Sequence, residues 1–397
     1  MKLAPRVGKL TTSPTVATME LAQRLRRQGR RVIDLGPGQP DFPVPEPIRR
    51  AAIRAVEEGW TGYTPVAGLP ELRQAVAESY NARWGTRFTA ENVIITAGAK
   101  SAVYLVCATL FAAGDRVAVP VPYWVTFPAV VSLVEAEPVF VGTAVGDFRP
   151  PVDALRRMGG VQGAILNFPN NPSGTVATAA EFTQIAAWAA TAGAFVLSDE
   201  TYELFTYEEE EPCSFAPFAL ESRVPFAVVG SFSKSCNMTG WRIGYVITDA
   251  HFARRLADFQ SHHAGNASTI GQWGALAALE LGFDWLTEVR QDYRRRRDLL
   301  LEGLRRIPGV SCAVPAGAFY LFPDVRELLR QCGCGDSGRF ALHLLEEAEV
   351  AVVPGSAFGC EGYVRLSYAV PPAELSAAVE RIAAFARSHR CGEGRGG

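Results

Sequence analysis

The sequence predicts an α/β fold: a large domain built in three layers around a mostly parallel sheet, joined to a smaller α+β domain. Three observations carry that expectation. Short, almost wholly apolar runs rich in Val and Ile recur along the chain, stretches with apolar residues at helical spacing alternate with them, and the texture changes after Gly282. A strand covered on both faces needs no polar alternation, so continuous apolar runs between helices suit a parallel sheet.

The expected strands are 93–96, 116–120, 138–141, 164–166, 195–197 and 227–230. Helical patterns occupy 47–57, 99–111 and 179–190; Pro47 opens the first, and Gly59, Gly114 and Gly193 follow the three ends. Beyond Gly282, residues 285–307 read as a long charged helix containing Arg294-Arg295-Arg296-Arg297. With Glu288, Asp292 and Asp298 close by in sequence, this run reads as a solvated face of ion pairs rather than a nucleic-acid surface. Short strands at 318–321, 350–353 and 364–366 and a final helix at 372–388 complete the second domain, and the tail 391–397 is expected to fray.

Composition narrows the function. Lys and Arg number 39 against 41 Asp and Glu, a formal charge of −2, which excludes general attraction to nucleic acid or anionic lipid. With 48% hydrophobic residues, a chain of 397 can bury sizeable cores. The opening MKLAPRVGKL lacks the apolar core of a secretory signal, and no stretch reaches the ~18–20 apolar residues of a spanning helix. A cytoplasmic protein with no membrane contact is expected. The eight cysteines form no Cys-X-X-Cys pair; Cys332 and Cys334 stand nine residues or so before His343, but reduced thiols without metal are the expectation.

Ligands of open parallel sheets collect beyond the carboxyl ends of the strands. After 93–96 come Ala97-Gly98-Ala99-Lys100-Ser101, small residues opening a helix whose free N–H groups suit a phosphate. The 195–197 run leads into Ser198-Asp199-Glu200-Thr201-Tyr202, where Asp199 is either a helix cap or the partner of a buried cation. The 227–230 run delivers Ser231-Phe232-Ser233-Lys234, and Arg242 follows eight residues later in Thr239-Gly240-Trp241-Arg242. A lysine at the end of a core strand has its pKa lowered by burial and is a candidate Schiff-base nucleophile. Pyridoxal 5'-phosphate accounts for all four features, since it needs an amine, an acid for its ring nitrogen and a phosphate cradle. Rival signatures GxxxxGK[ST], HExxH and GxSxG are missing, and the literal GxGxxG at Gly333, Gly335 and Gly338 follows a helical pattern rather than a strand.

From about Arg31 to about Val370 the sequence resembles the class I and II aminotransferases, pyridoxal-phosphate enzymes of fold type I. The resemblance rests on Asp34-Leu35-Gly36-Pro37-Gly38-Gln39-Pro40-Asp41-Phe42, Tyr63-Thr64-Pro65, Asn167-Phe168-Pro169-Asn170-Asn171-Pro172, Asp199-Glu200-Thr201-Tyr202, Ser231-Phe232-Ser233-Lys234, Thr239-Gly240-Trp241-Arg242 and Val364-Arg365-Leu366-Ser367-Tyr368. It implies residues 1–46 as an N-terminal arm and part of the small domain, 47–284 as the large cofactor-binding domain, and 285–397 as an interdomain helix and the rest of the small domain. It further implies that Lys234 holds the cofactor and moves a proton on the substrate, and that Asp199 pairs with the ring nitrogen. Tyr202 and Asn171 would bond the phenolic oxygen, and Trp124 would stack on the ring. The phosphate would lie on the backbone of Ala99 and Lys100, Ser231 and Arg242, and on Tyr63 of a neighbouring subunit, so a homodimer is implied. Arg365, with the backbone of Gly38, would hold the substrate's α-carboxylate.

The reaction implied is ping-pong transfer of an amino group from an α-amino acid to a 2-oxo acid, with elimination, a synthase reaction or oxidation on the same scaffold as the alternative. Segment 261–269, which the resemblance puts near the neighbour's site, contains His262, His263 and Asn266 but no Lys or Arg. That argues against a dicarboxylate such as aspartate as substrate.

Overall fold

The computed structural model describes residues 4–8, 14–143, 146–207 and 213–390; the tail expected to fray lies outside them. Its centre is a seven-stranded sheet ordered Val93–Thr96, Gly244–Thr248, Phe226–Ser231, Phe195–Asp199, Gly163–Asn167, Arg116–Val121, Glu137–Gly142. Gly244–Thr248 runs antiparallel to both neighbours, and every other pairing between adjacent strands is parallel. All six expected strands are present. The antiparallel strand was not expected, because only three of its five residues, Tyr245, Val246 and Ile247, form an apolar run.

Alternate residues explain why the runs are continuous. Ile95, Ala164, Val196, Val228 and Ile247 pack on one face with Leu72, Val76, Phe182 and Ile185 of helices Pro70–Trp84 and Ala179–Ala192. Ile94, Ile165, Leu197, Val229 and Val246 pack on the other with Val103, Val106, Phe127 and Leu256 of helices Ala99–Leu110, Thr126–Leu133 and Ala250–His263. Each fully buried Val, Leu or Ile contributes ~1.5–3 kcal/mol, so a polar residue would be disfavoured on either face. Helix Ala179–Ala192 begins with a Thr178–Glu181 capping box and stops at Gly193, whose φ of 63° closes its last turn.

A second core forms around helices Leu286–Arg305, Ser337–Ala348 and Pro372–Arg390. They cover an antiparallel three-stranded sheet ordered Val353–Pro354, Val364–Ser367, Tyr320–Leu321. Near the N-terminus, Ile33–Asp34 pairs in parallel with Val350–Ala351 of the same core. The loop that follows is tied to the long helix: Arg296 bridges Asp41 at 2.6 Å and Tyr293 donates to Asp41 at 3.0 Å.

The arginine run is only partly the solvated face expected. Arg295 and Arg296 pair with Asp292, and Arg297 with Asp298. Arg297, however, is 3% exposed and donates to the Pro315 carbonyl at 2.9 Å, because the helix turns it inward over the Tyr207 ring. Cys334 Sγ lies 3.7 Å from His343 Nδ1, but among the described residues no three His, Cys, Asp or Glu side chains converge as a metal site requires. No helix among them is long and apolar enough to cross a membrane.

Candidate active site

The polar groups gather along one rim of the large sheet, where the parallel strands end. Because Gly244–Thr248 runs the other way, it starts on that rim, which puts Arg242, two residues before it, beside groups that follow the other strands.

Phe195–Asp199 ends on Asp199, 3% exposed, whose carboxylate accepts the N–H of Thr201 at 3.1 Å and has no ion pair among the described residues. A turn rather than a helix follows, so Asp199 is not a helix cap. Burial pushes its pKa up to about 6, against the opposing pull of Thr201 and Lys234. Behind it Glu200 accepts from Ser198 Oγ at 2.8 Å and from the Phe215 amide at 2.9 Å, and burial raises it to about 7.

Phe226–Ser231 passes into the short helix Phe232–Ser235, which carries Lys234. Its amine donates to the Gly38 carbonyl at 2.5 Å and lies 5.9 Å from the Tyr202 ring centroid. Burial, reinforced by Arg365 and Arg242 and opposed by Asp199, pushes Lys234 down to about 8.

Val93–Thr96 turns through Gly98, φ 83°, into helix Ala99–Leu110, which no side chain caps. The amides of Ala99 and Lys100 therefore have no acceptor within the helix. Across from them Arg242, φ 59°, donates to the carbonyls of Thr239 at 2.7 Å and Ala97 at 3.3 Å, with no carboxylate partner among the described residues. Its guanidinium comes so near Gly98 that a Cβ there would overlap it. Ser231 Oγ donates to the Ile243 carbonyl at 3.1 Å on the same side. Lys100 extends to place its amine 5.2 Å from the Trp124 ring centroid, also without an ion pair among the described residues; burial and then Arg242 lower its pKa.

The small sheet supplies the opposite wall. Arg365, 5% exposed, donates to Asn171 Oδ1 at 2.8 Å and to the Gly36 carbonyl at 2.6 Å, while its Nε is buried without a partner. Asn167 Oδ1 accepts the Asn171 amide at 2.9 Å, and its Nδ2 donates to the Asp199 carbonyl at 3.1 Å, which joins the two walls.

Lys234, Asp199, Tyr202, Asn171, Arg365 and Gly38 thus form one cluster, and Ala99, Lys100, Trp124, Ser231 and Arg242 line the rim beside it. Tyr63 is not drawn into it: its side chain is 99% exposed. His263 lies against Tyr104, Asn266 donates to the Ala267 carbonyl and Thr269 to the Gly62 carbonyl, so these side chains of segment 261–269 are engaged within the chain. Sequence reasoning missed Tyr320 and Phe358, whose rings lie 4.4 Å and 5.0 Å from the Arg365 guanidinium. Neither carries a local signal, since an aromatic residue in an apolar stretch reads as core.

The comparison with known families decides what the cluster belongs to. Residues 30–382 match the family model for aminotransferase class I and II. The chain belongs to that family. This aminotransferase is 39% identical to the aspartate aminotransferase of Geobacillus stearothermophilus over 97% of its own length and 99% of the relative's. It is 40% identical to the probable aspartate/prephenate aminotransferase of Aquifex aeolicus, over 96% and 97%. Its fold superposes on the aspartate aminotransferase from Thermus thermophilus with maleate at a TM-score of 0.91 and 38% identity, covering 97% of this chain and 99% of that one.

Proposed function

We propose that this aminotransferase uses pyridoxal 5'-phosphate held on Lys234, works as a cytoplasmic homodimer, and takes aspartate as amino donor. The observation that carries the cofactor reading is the fit of three unsatisfied groups to its three ends. A buried carboxylate without a cation at Asp199 suits a protonated ring nitrogen. An uncapped helix start faced by the unpaired Arg242 suits a phosphate. A buried lysine at about 8 supplies the amine. When bound, the cofactor withdraws electrons from the substrate Cα.

The protein groups do the rest. Lys234 would move a proton to and from that Cα. Asp199 keeps the ring nitrogen protonated, and Tyr202 and Asn171 hold the phenolic oxygen. Trp124 covers one face of the ring, while Ser231 and the amides of Ala99 and Lys100 join Arg242 on the phosphate. Arg365 and the Gly38 backbone orient the substrate's α-carboxylate. The exposure of Tyr63, with that of Ile53, Val56 and, nearby in sequence, Trp60, whose ring is tilted against Trp273 at 4.5 Å, suits an apolar face against a second copy whose phosphate Tyr63 would reach.

Aspartate needs a second cation, and 261–269 offers none. Lys100 is that cation in our reading: it stands unpaired beside Trp124, and the relatives are named for aspartate. Aspartate without an oxo acid should bleach the bound cofactor's visible absorbance and release oxaloacetate, and a second 2-oxo acid should restore the colour. In Lys100→Ala the kcat/KM ratio of aspartate to alanine should fall roughly 10- to 100-fold. Ammonia released with fumarate would overturn the reaction; an unchanged ratio would overturn the role of Lys100.

The phosphate reading has its own test. Gly98→Ala puts a side chain at a φ of 83° and against the Arg242 guanidinium. Titrated by absorbance, its cofactor dissociation constant should rise ~10-fold or more.

A further inference from the structure

Tyr320 has no part in the roles above. It lies on strand Tyr320–Leu321, fully buried, with its hydroxyl 2.6 Å from that of Tyr202. Two phenols in contact use one of their two protons between them, and the other must point elsewhere. Neither hydroxyl has another hydrogen-bond partner among the described residues.

The surroundings decide which one donates. Gly38 packs so closely on the Tyr320 hydroxyl that a Cβ would overlap it. The Arg365 guanidinium over the Tyr320 ring offers only donors. A proton kept by Tyr320 would be a buried donor with no acceptor, which is costly, whereas one kept by Tyr202 would have the phenolic oxygen of the proposed cofactor to reach. Burial raises both phenols and Arg365 pulls both back, as the foremost opposing influence at Tyr320, whereas the neighbouring phenol raises Tyr202 further. Tyr320 is therefore the better donor.

We propose that Tyr320 is a positioning residue that donates to Tyr202 and so turns the Tyr202 proton outward, toward the phenolic oxygen of the cofactor. The inference rests on the reading of Tyr202 given above. It makes Tyr202 a fixed donor rather than a rotor, and it couples the α-carboxylate arginine to the cofactor through a tyrosine pair as well as through Asn171. A donor on the ionised phenolic oxygen favours the deprotonated chromophore and lowers its pKa.

The test is a pH titration of the lysine-bound chromophore in the wild-type holoenzyme, Tyr320→Phe, Tyr202→Phe and the double variant. Phenylalanine keeps the ring under Arg365, and the chromophore itself reports loading. Tyr320→Phe should raise the apparent pKa by about 0.5 to 1 pH unit, and Tyr202→Phe by more. The double variant should titrate like Tyr202→Phe alone, because Tyr320 acts through Tyr202. A Tyr320→Phe titration within ~0.2 pH unit of wild type, or an equal rise in the Tyr202→Phe background, overturns the relay alone. If Tyr202→Phe itself leaves the titration unmoved, the reading of Tyr202 fails and the relay falls with it.

Discussion

Lys234→Ala should lower turnover by about 10⁴-fold or more while the protein still folds and binds the cofactor without a covalent link. Among the described residues the Lys234 side chain makes one hydrogen bond, to the Gly38 carbonyl. What the proposed roles make the variant lose is chemistry: the amine that would capture the cofactor and the group that would carry the Cα proton. Borohydride should fix cofactor onto wild type and not onto the variant; an unchanged trapped adduct would sink the assignment. The lowered pKa adds a pH arm. Only the neutral amine attacks a carbonyl, so with Lys234 at about 8 roughly a tenth is reactive at pH 7, against roughly one in 2,500 for an ordinary lysine near 10.4. Capture of cofactor by the apoprotein should accelerate as pH rises toward 8 and level off above it. A rate still climbing tenfold per pH unit at 9 would show that burial does not depress this amine.

Arg365→Ala should lower kcat/KM by roughly 10²- to 10⁴-fold, with cofactor loading retained. Its guanidinium is fixed before substrate arrives, by Asn171 Oδ1, the Gly36 carbonyl and the faces of Tyr320 and Phe358. A carboxylate that meets it therefore finds donors already oriented, and the loss on truncation exceeds that of a mobile surface charge. Steady-state kinetics with a single amino acid would measure it, alongside the chromophore as a check on loading. A fall of less than ~10-fold would place the α-carboxylate elsewhere.

The parts of this molecule legible in its sequence are those where burial forces composition. A strand packed on both faces, such as Gly163–Asn167, leaves no room for polar residues, so its run is visible. For the same reason Asp199, Lys234 and Arg365 stand out as charges where an apolar strand should continue or end. What was hidden depends on pairing across the chain. Tyr320 meets Tyr202 across 118 residues, and nothing local separates it from a core aromatic. Arg297 reads as surface in a run of four arginines, and only the helix phase turns it inward. That Lys100 has no ion pair among the described residues is equally silent in sequence, since a lysine opening a helix is ordinary until its neighbours are known.

The loop from Gly36 to Phe42 is held from two sides. Arg365 and Arg296 fasten it to the small core, and Lys234 grips its Gly38 carbonyl from the large sheet. An amine committed to the cofactor cannot keep that grip in the same form. If Lys234 holds the cofactor as proposed, its amine gives up the Gly38 carbonyl, and that contact between the two cores passes to whatever the amine then carries.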